Sequence, residues 1–158
     1  MSEKAVVIRT ATPRDATRIA ELSDVLGYAA DPPTFAERLQ RLHGRGDDRV
    51  FVAEIESKVV GWAHAAEQEP LEYGRRCEIL GLVVDPAFRS QGVGRALVRA
   101  VEQWAVSRHL GQVCVRSNVT RTESHPFYER LGYVRAKTQH AYRKPLVEGP
   151  LPPHCSPA

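Results

Sequence analysis

Apolar positions along the chain alternate, cluster or recur at intervals that mark out strands and helices in turn. Val6, Val7 and Ile8 read as a first strand. Thr12-Pro13-Arg14-Asp15 then reads as a helix start, with Thr12 as N-cap, Pro13 at the first helical position and Asp15 reaching back, and that helix runs to about Asp24. A second helix is expected to open at Thr34, with Glu37 completing a capping box, and to stop at His43 and Gly44. The loop between them holds Gly27, Tyr28, Asp31, Pro32 and Pro33. Residues 49–54 and 58–64 are rich in β-branched and aromatic residues around Glu56-Ser57, the pattern of an antiparallel hairpin. Residues 77–84 are almost wholly apolar, which predicts a central strand buried on both faces. Gly81 inside it marks a bulge or a place where another backbone comes close. Val93, Ala96, Leu97, Ala100, Val101, Trp104 and Ala105 recur at helical spacing until Gly111 ends the segment. Residues 112–116 alternate as a strand, 126–131 form a short helix closed by Gly132, and 133–144 suit a final strand pair.

Composition then narrows the class. With 158 residues, 42% hydrophobic and 26% charged, the chain suits one domain, expected over residues 1–147, followed by a proline-rich disordered tail at 148–158. No apolar run approaches the roughly 18 residues a membrane helix needs, and the opening residues lack the regions of a secretion signal, so a cytoplasmic protein without membrane association is expected. Cys77, Cys114 and Cys155 are widely separated, without C-x-x-C or paired-histidine spacing, so free thiols and no metal are expected. A net charge of +3 with scattered arginines gives no basic face for nucleic acid, yet suits a polyanionic small molecule.

The most informative segment joins a strand to a helix through Asp85-Pro86-Ala87-Phe88-Arg89-Ser90-Gln91-Gly92-Val93-Gly94-Arg95. A helix opening supplies unpaired amides and the positive end of the macrodipole, and glycines let a ligand reach the backbone. Arg89 and Arg95 add side chains that fork onto phosphate oxygens. Two glycines alone also serve as a plain tight turn. A Walker loop would need Gly-Lys-Ser/Thr, and a dinucleotide fingerprint would need a third glycine where Leu97 stands.

Arg89-x-x-Gly92-x-Gly94, after a buried strand and opening an amphipathic helix, resembles the Q/R-x-x-G-x-G/A signature of the GNAT acetyltransferases. The resemblance is specific from Glu78 through Tyr133 and looser over residues 5–146. It implies an α/β fold with a mixed, mostly antiparallel sheet of about six to seven strands, flanked by about four helices and splayed at the central parallel pair. It further implies acetyl-CoA as co-substrate, its pyrophosphate on the amides of Arg89, Ser90, Gln91, Gly92, Val93, Gly94 and Arg95. The pantetheine arm would pair with Leu82, Val83 and Val84, and a homodimer through exposed strands would be in keeping with relatives.

Acetyl transfer to an amine requires a neutral nucleophile, a stabilised oxyanion and a proton for the departing thiolate. Glu78 matches the place where several family members keep their base; as a plain structural residue it would only begin a strand. Glu67, Glu69 and Glu72 are the fallbacks. His125-Pro126-Phe127-Tyr128-Glu129-Arg130-Leu131-Gly132-Tyr133 resembles the family's F-Y-x-x-x-G-F/Y segment, which maps the proton donor onto Tyr128; Phe127 and Leu131 read as core. Asn118 matches a frequent cofactor- or substrate-contacting asparagine, or simply forms a turn. His125 reads as a cap for the following helix, and Tyr28 lies where relatives shape the acceptor pocket. The expected activity is transfer of acetyl to a primary amine of a small molecule or peptide by direct attack in a ternary complex. The alternative is a non-catalytic acyl-CoA-binding sensor or interaction module lacking a working base. The sequence does not select the acceptor.

Overall fold

A two-residue turn sets the register of the sheet. Glu56 and Ser57 both take positive φ, 50° and 65°, the twist that joins antiparallel neighbours with least splay. They connect Asp48–Ile55 (β2) to Lys58–Gln68 (β3). Val7–Thr10 (β1) pairs antiparallel with β2 on its outer side, and Arg76–Val84 (β4) pairs antiparallel with β3. Val113–Val115 (β5) closes a five-stranded sheet of order β1-β2-β3-β4-β5, running parallel to β4. The computed structural model describes residues 4–149 other than 26 and 29, and these fall into two compact units, one ending at Val115 and the next beginning at Arg116.

Between β1 and β2 lie Ala16–Asp24 (α1), entered through a short 3-10 turn at Pro13–Asp15, and Pro32–His43 (α2). Asp15 accepts from the Thr12 amide at 2.8 Å, as the sequence implied, and also holds the Arg9 guanidinium through two hydrogen bonds of 2.8 Å. The start of α2 differs from expectation. Asp31, not Thr34, is the N-cap: its carboxylate accepts from the Thr34 amide at 2.8 Å. Pro32 and Pro33 fit the first turn, whose amides have no helical acceptors, so the helix begins two residues earlier. Glu37 faces Arg41 one turn on instead of completing a capping box.

Val93–Ser107 (α3) buries Val93, Leu97, Val98, Val101, Trp104 and Ala105. It ends before Gly111, because His109 takes the left-handed position (φ 59°) while its amide and that of Leu110 close onto Val106 and Ala105. The two sheet faces therefore have different covers. Val52, Val83 and Trp62 pack with Ile19 and Leu22 of α1 and Phe35 and Leu39 of α2. Val93 and Leu97 of α3 lie over Gly61 on the opposite face.

In the second unit, Ser124–Arg130 (α4) starts two residues before Pro126, and the Gly132 amide closes onto Glu129. The expected strand pair at 133–144 is absent among the described residues, so the sheet has five strands where six to seven were expected. Residues 134–144 carry Arg135, Lys137, Arg143 and Lys144 among few apolar side chains and are exposed throughout, leaving no apolar face to reward strand formation. Glu148 and Gly149 are without regular structure, and the rest of the proposed tail, with Cys155, lies outside the described residues.

Candidate active site

The parallel pair parts early. Its ladder holds only Cys77, Glu78 and Ile79 against Val113, Cys114 and Val115, whereas β4 continues to Val84. Leu80, Gly81, Leu82, Val83 and Val84 thus present one backbone edge that no strand among the described residues pairs. On the other edge, His64 faces Gly81 and Ala65 faces Ile79, which makes Leu80 the extra residue of a bulge. Leu80 is consequently 50% exposed, against the sequence expectation of a strand buried on both faces. Gly81 is required there because the Trp62 ring lies across it; a Cβ would meet two indole carbons at 2.7 Å.

The bared edge runs into the turn that opens α3. Asp85 accepts from the Ala87 amide at 2.9 Å and from Arg18 of α1 at 2.6 Å, and its own amide donates to Val60. Burial pushes the Asp85 carboxyl up, but the Ala87 amide and Arg18 more than offset it and hold the group below its ordinary value. Past Arg89 the backbone is left-handed at Ser90 (φ 63°) and again at Gly92 (φ 80°). A non-glycine residue in that region carries strain of order 1–3 kcal/mol, which in general concentrates where a ligand or switch is held. Gly92 is the N-cap, without a side-chain capping bond, and the first helical bond runs from the Ala96 amide to the Gly92 carbonyl at 3.0 Å. The amides of Val93, Gly94 and Arg95 are therefore left without acceptors inside the helix. Arg89, Ser90, Gln91, Gly92 and Arg95 are exposed, and a Cβ at Gly92 would meet nothing within 4 Å; Val93 sends its side chain into the core.

Glu78 lies on the β4 face turned toward α1 and α2, paired with Ala66, and is only 6% exposed. Arg76 Nη2 stands 4.0 Å from its Oε2, and the Arg76 guanidinium lies over the Tyr73 ring. On the same face His64 Nε2 is 2.8 Å from Asp48 Oδ1. Arg76 Nε and the Trp62 indole N–H are buried without acceptors among the described residues. Reading the sequence missed His64, Asp48, Arg76 and Trp62. Trp62, His64 and Ala66 alternate, so a shared face was readable, but only the pairing register turns that face toward Glu78.

The fallback carboxylates separate from this site. Glu67 pairs with Cys77 on the opposite face, where Arg75 and Arg108 both donate to it, and their hydrogen bonds hold its carboxyl below the ordinary range. Glu69 and Glu72 sit exposed in the connection to β4. Burial pushes the Cys77 thiol up to about 12, with Cys114, Glu78 and Glu67 adding to the shift, so it is a poor nucleophile at neutral pH.

Asn118, His125 and Tyr128 belong to the second unit. Asn118 accepts from the Thr120 amide and hydroxyl, forming the turn that was its alternative reading, and His125 Nε2 contacts the Asn118 carbonyl at 3.2 Å from inside the first turn of α4. His125 is thus not the N-cap; that position is Glu123. Tyr128 is half-buried between the rings of Phe127 and Tyr133, and burial raises its phenol above the ordinary value, with Arg121 pulling the other way. Tyr28 is 43% exposed, its amide donating to Ser23 at the end of α1. A depression of about 440 Å³ between α1 and the start of α2 carries Glu21, Asp24 and Asp31, and Tyr28 is not among its lining residues.

An unpaired β edge leading into an uncapped helix opening, with a buried carboxylate on the same strand, is the framework of an acyltransferase whose donor carries phosphates. Residues 16–133 match the acetyltransferase (GNAT) family, and the chain belongs to it: it is an acetyl-CoA-dependent N-acetyltransferase. It is 28% identical over 151 residues to the aminoglycoside N(6')-acetyltransferase type 1 of Stenotrophomonas maltophilia, covering 92% of this chain and 97% of that one. It is 32% identical over 84 residues to human N-acetyltransferase 8, covering 52% of this chain and 37% of that protein. In fold it is similar to aminoglycoside N-acetyltransferase AAC(6')-Iy in complex with CoA, with a TM-score of 0.81 at 19% identity over 90% and 97% of the two chains. No helix among the described residues is long and apolar enough to cross a membrane, and no group of three or more His, Cys, Asp or Glu residues there is arranged to hold a metal.

Proposed function

We propose that this chain acetylates a primary amine of a small, multiply charged molecule by direct attack in a ternary complex, with amino sugars of the aminoglycoside kind as the first acceptors to test. The single observation carrying the reading is the run of unpaired β4 backbone that leads from beside Glu78 into the open first turn of α3. In this reading the amides from Arg89 to Arg95 and the guanidinium groups of Arg89 and Arg95 hold the diphosphate, and Leu82, Val83 and Val84 align the thioester arm. The donor supplies an acetyl group activated by its thiolate leaving group. A backbone N–H on the exposed β4 edge meets the developing oxyanion.

An alkyl ammonium is mostly charged at neutral pH, so the protein must attract it and remove a proton. Glu78 is the carboxylate that meets it, taking the proton directly or through a water it orients. Tyr128 supplies a proton to the sulfur, a role in which a phenol with a raised pKa stays protonated at neutral pH. Asn118 contributes a cofactor contact through its turn, and Tyr28 a wall of the acceptor pocket. Likeness to an aminoglycoside acetyltransferase along nearly the full length of both chains supports a polycationic acceptor.

Thiol release from acetyl-CoA, followed over aminoglycosides, polyamines, amino acids and peptides, tests the proposal. Turnover on amino sugars is expected, with Glu78→Gln lowering kcat/KM by about 10²-fold or more while leaving acetyl-CoA affinity intact. Absence of turnover on every amine, or an unaffected Glu78→Gln enzyme, would refute it.

A further inference from the structure

The face of the sheet that carries Glu78 holds a second proton-accepting arrangement. Asp48 pairs with Ala66, Ala66 pairs with Glu78, and His64 pairs with Gly81, so Asp48, His64 and Glu78 share one face across three adjacent strands. His64 and Glu78 are diagonal neighbours, a relation in which backbones stand roughly 7–8 Å apart and long side chains still meet. Gly81 puts no side chain of its own opposite His64, and the Trp62 ring lies across that glycine. The His64 and Asp48 side chains are 20% and 11% exposed, and their 2.8 Å contact uses Nε2. Nδ1 has no hydrogen-bond partner among the described residues and is not one of the fully buried unpartnered atoms, on a side chain that keeps 20% of its surface exposed. Charged side chains on the same face include Asp48 on β2 and Glu78 and Arg76 on β4; α1 and α2 turn Ile19, Leu22, Phe35 and Leu39 to the sheet.

We propose that His64 is the catalytic group that takes the first proton from the acceptor ammonium, with Asp48 its positioning residue and Glu78 the anion that holds the ammonium in place. This rests on the amine-acetylating reading above and divides the task assigned there to Glu78. An imidazole ordinarily titrates close to neutrality and a carboxylate several units below it, so an imidazole is the better matched acceptor when substrate and medium are near neutral pH. Asp48 receives the Nε2 proton, which fixes the tautomer that leaves Nδ1 as acceptor and stabilises the imidazolium once formed. One proton passes from the ammonium to Nδ1 and on to water. The freed nitrogen lone pair forms the C–N bond as the C–S bond breaks, and the second proton leaves the nitrogen and is balanced by the one gained at sulfur.

Steady-state kinetics on two acceptors test this: an ordinary alkylamine, and a fluorinated alkylamine already neutral at the assay pH. His64→Gln keeps an N–H toward Asp48 but has no basic nitrogen. It is expected to lower kcat on the alkylamine by about 10²-fold, to change KM and acetyl-CoA affinity by less than about threefold, and to leave the fluorinated amine within about threefold of wild type. Asp48→Asn should give a smaller loss with the same acceptor dependence, and it decides the matter should His64→Gln fail to bind acetyl-CoA. Equal losses on both acceptors, or a His64→Gln enzyme matching wild type while Glu78→Gln is impaired, would overturn the role of His64 alone. A wild-type enzyme acetylating neither these two amines nor any amino sugar would remove the parent reading and this inference with it.

Discussion

Asp15 joins β1 to the first helical segment through one carboxylate, accepting from Arg9 and from the Thr12 amide. Burial raises its pKa, but the Arg9 hydrogen bonds and charge and the Thr12 amide outweigh that and hold it below the ordinary value. A depressed carboxyl contributes stability above its unfolded pKa of about 3.9 and loses it as pH falls through the folded value. Asp15→Asn should therefore destabilise the protein by about 1–3 kcal/mol at neutral pH, and urea titrations should show the gap closing below about pH 4. A gap constant down to pH 3 would show that the charge is not responsible. At this scale the sequence was legible where a residue acts on near neighbours, as in Asp15 reaching back to Thr12. Glu78, too, was singled out on its own strand. His64 and Asp48 were not, because their meeting depends on pairing between residues 16 positions apart.

Elements with a clear period emerged from the sequence close to their observed places: the hairpin around Glu56-Ser57, the long helix after Gly92 and the strand before Asp85. Ends were harder to read, since Asp31 competes with Thr34 as a cap and His109 can turn the chain before Gly111 does. The strand pair at 133–144 failed because a mildly alternating pattern forms a strand only with a partner and an apolar face. Gly81 was read as a bulge or the close approach of another backbone; the bulge is there, with Leu80 the extra residue, but what fills the space above the glycine is the Trp62 side chain. Gly81→Ala should force the indole aside, lowering stability by about 1–3 kcal/mol with a shift in tryptophan emission. Unchanged stability and emission would mean that the ring is not packed against this backbone.

Across the molecule, β4 serves three functions at once: it pairs with β3, carries Glu78 on the face beneath α1 and α2, and leaves an open edge that ends at the α3 turn. The family signature was readable because a phosphate turn is local in sequence, while the early parting of β4 and β5 follows from which residues find partners. The proposed function rests on the first-turn amides of α3 gripping the diphosphate of coenzyme A. Gly92→Asp tests it directly. Aspartate tolerates the left-handed backbone better than most residues, no neighbour lies within 4 Å of its Cβ, and its carboxylate would occupy and repel at the anion site. Calorimetric titration of coenzyme A into both proteins is the measurement: an affinity loss of about 10²-fold or more is expected in Gly92→Asp, equivalent to about 2.7 kcal/mol, with a retained cooperative thermal transition. Equal affinities in the two proteins would contradict it.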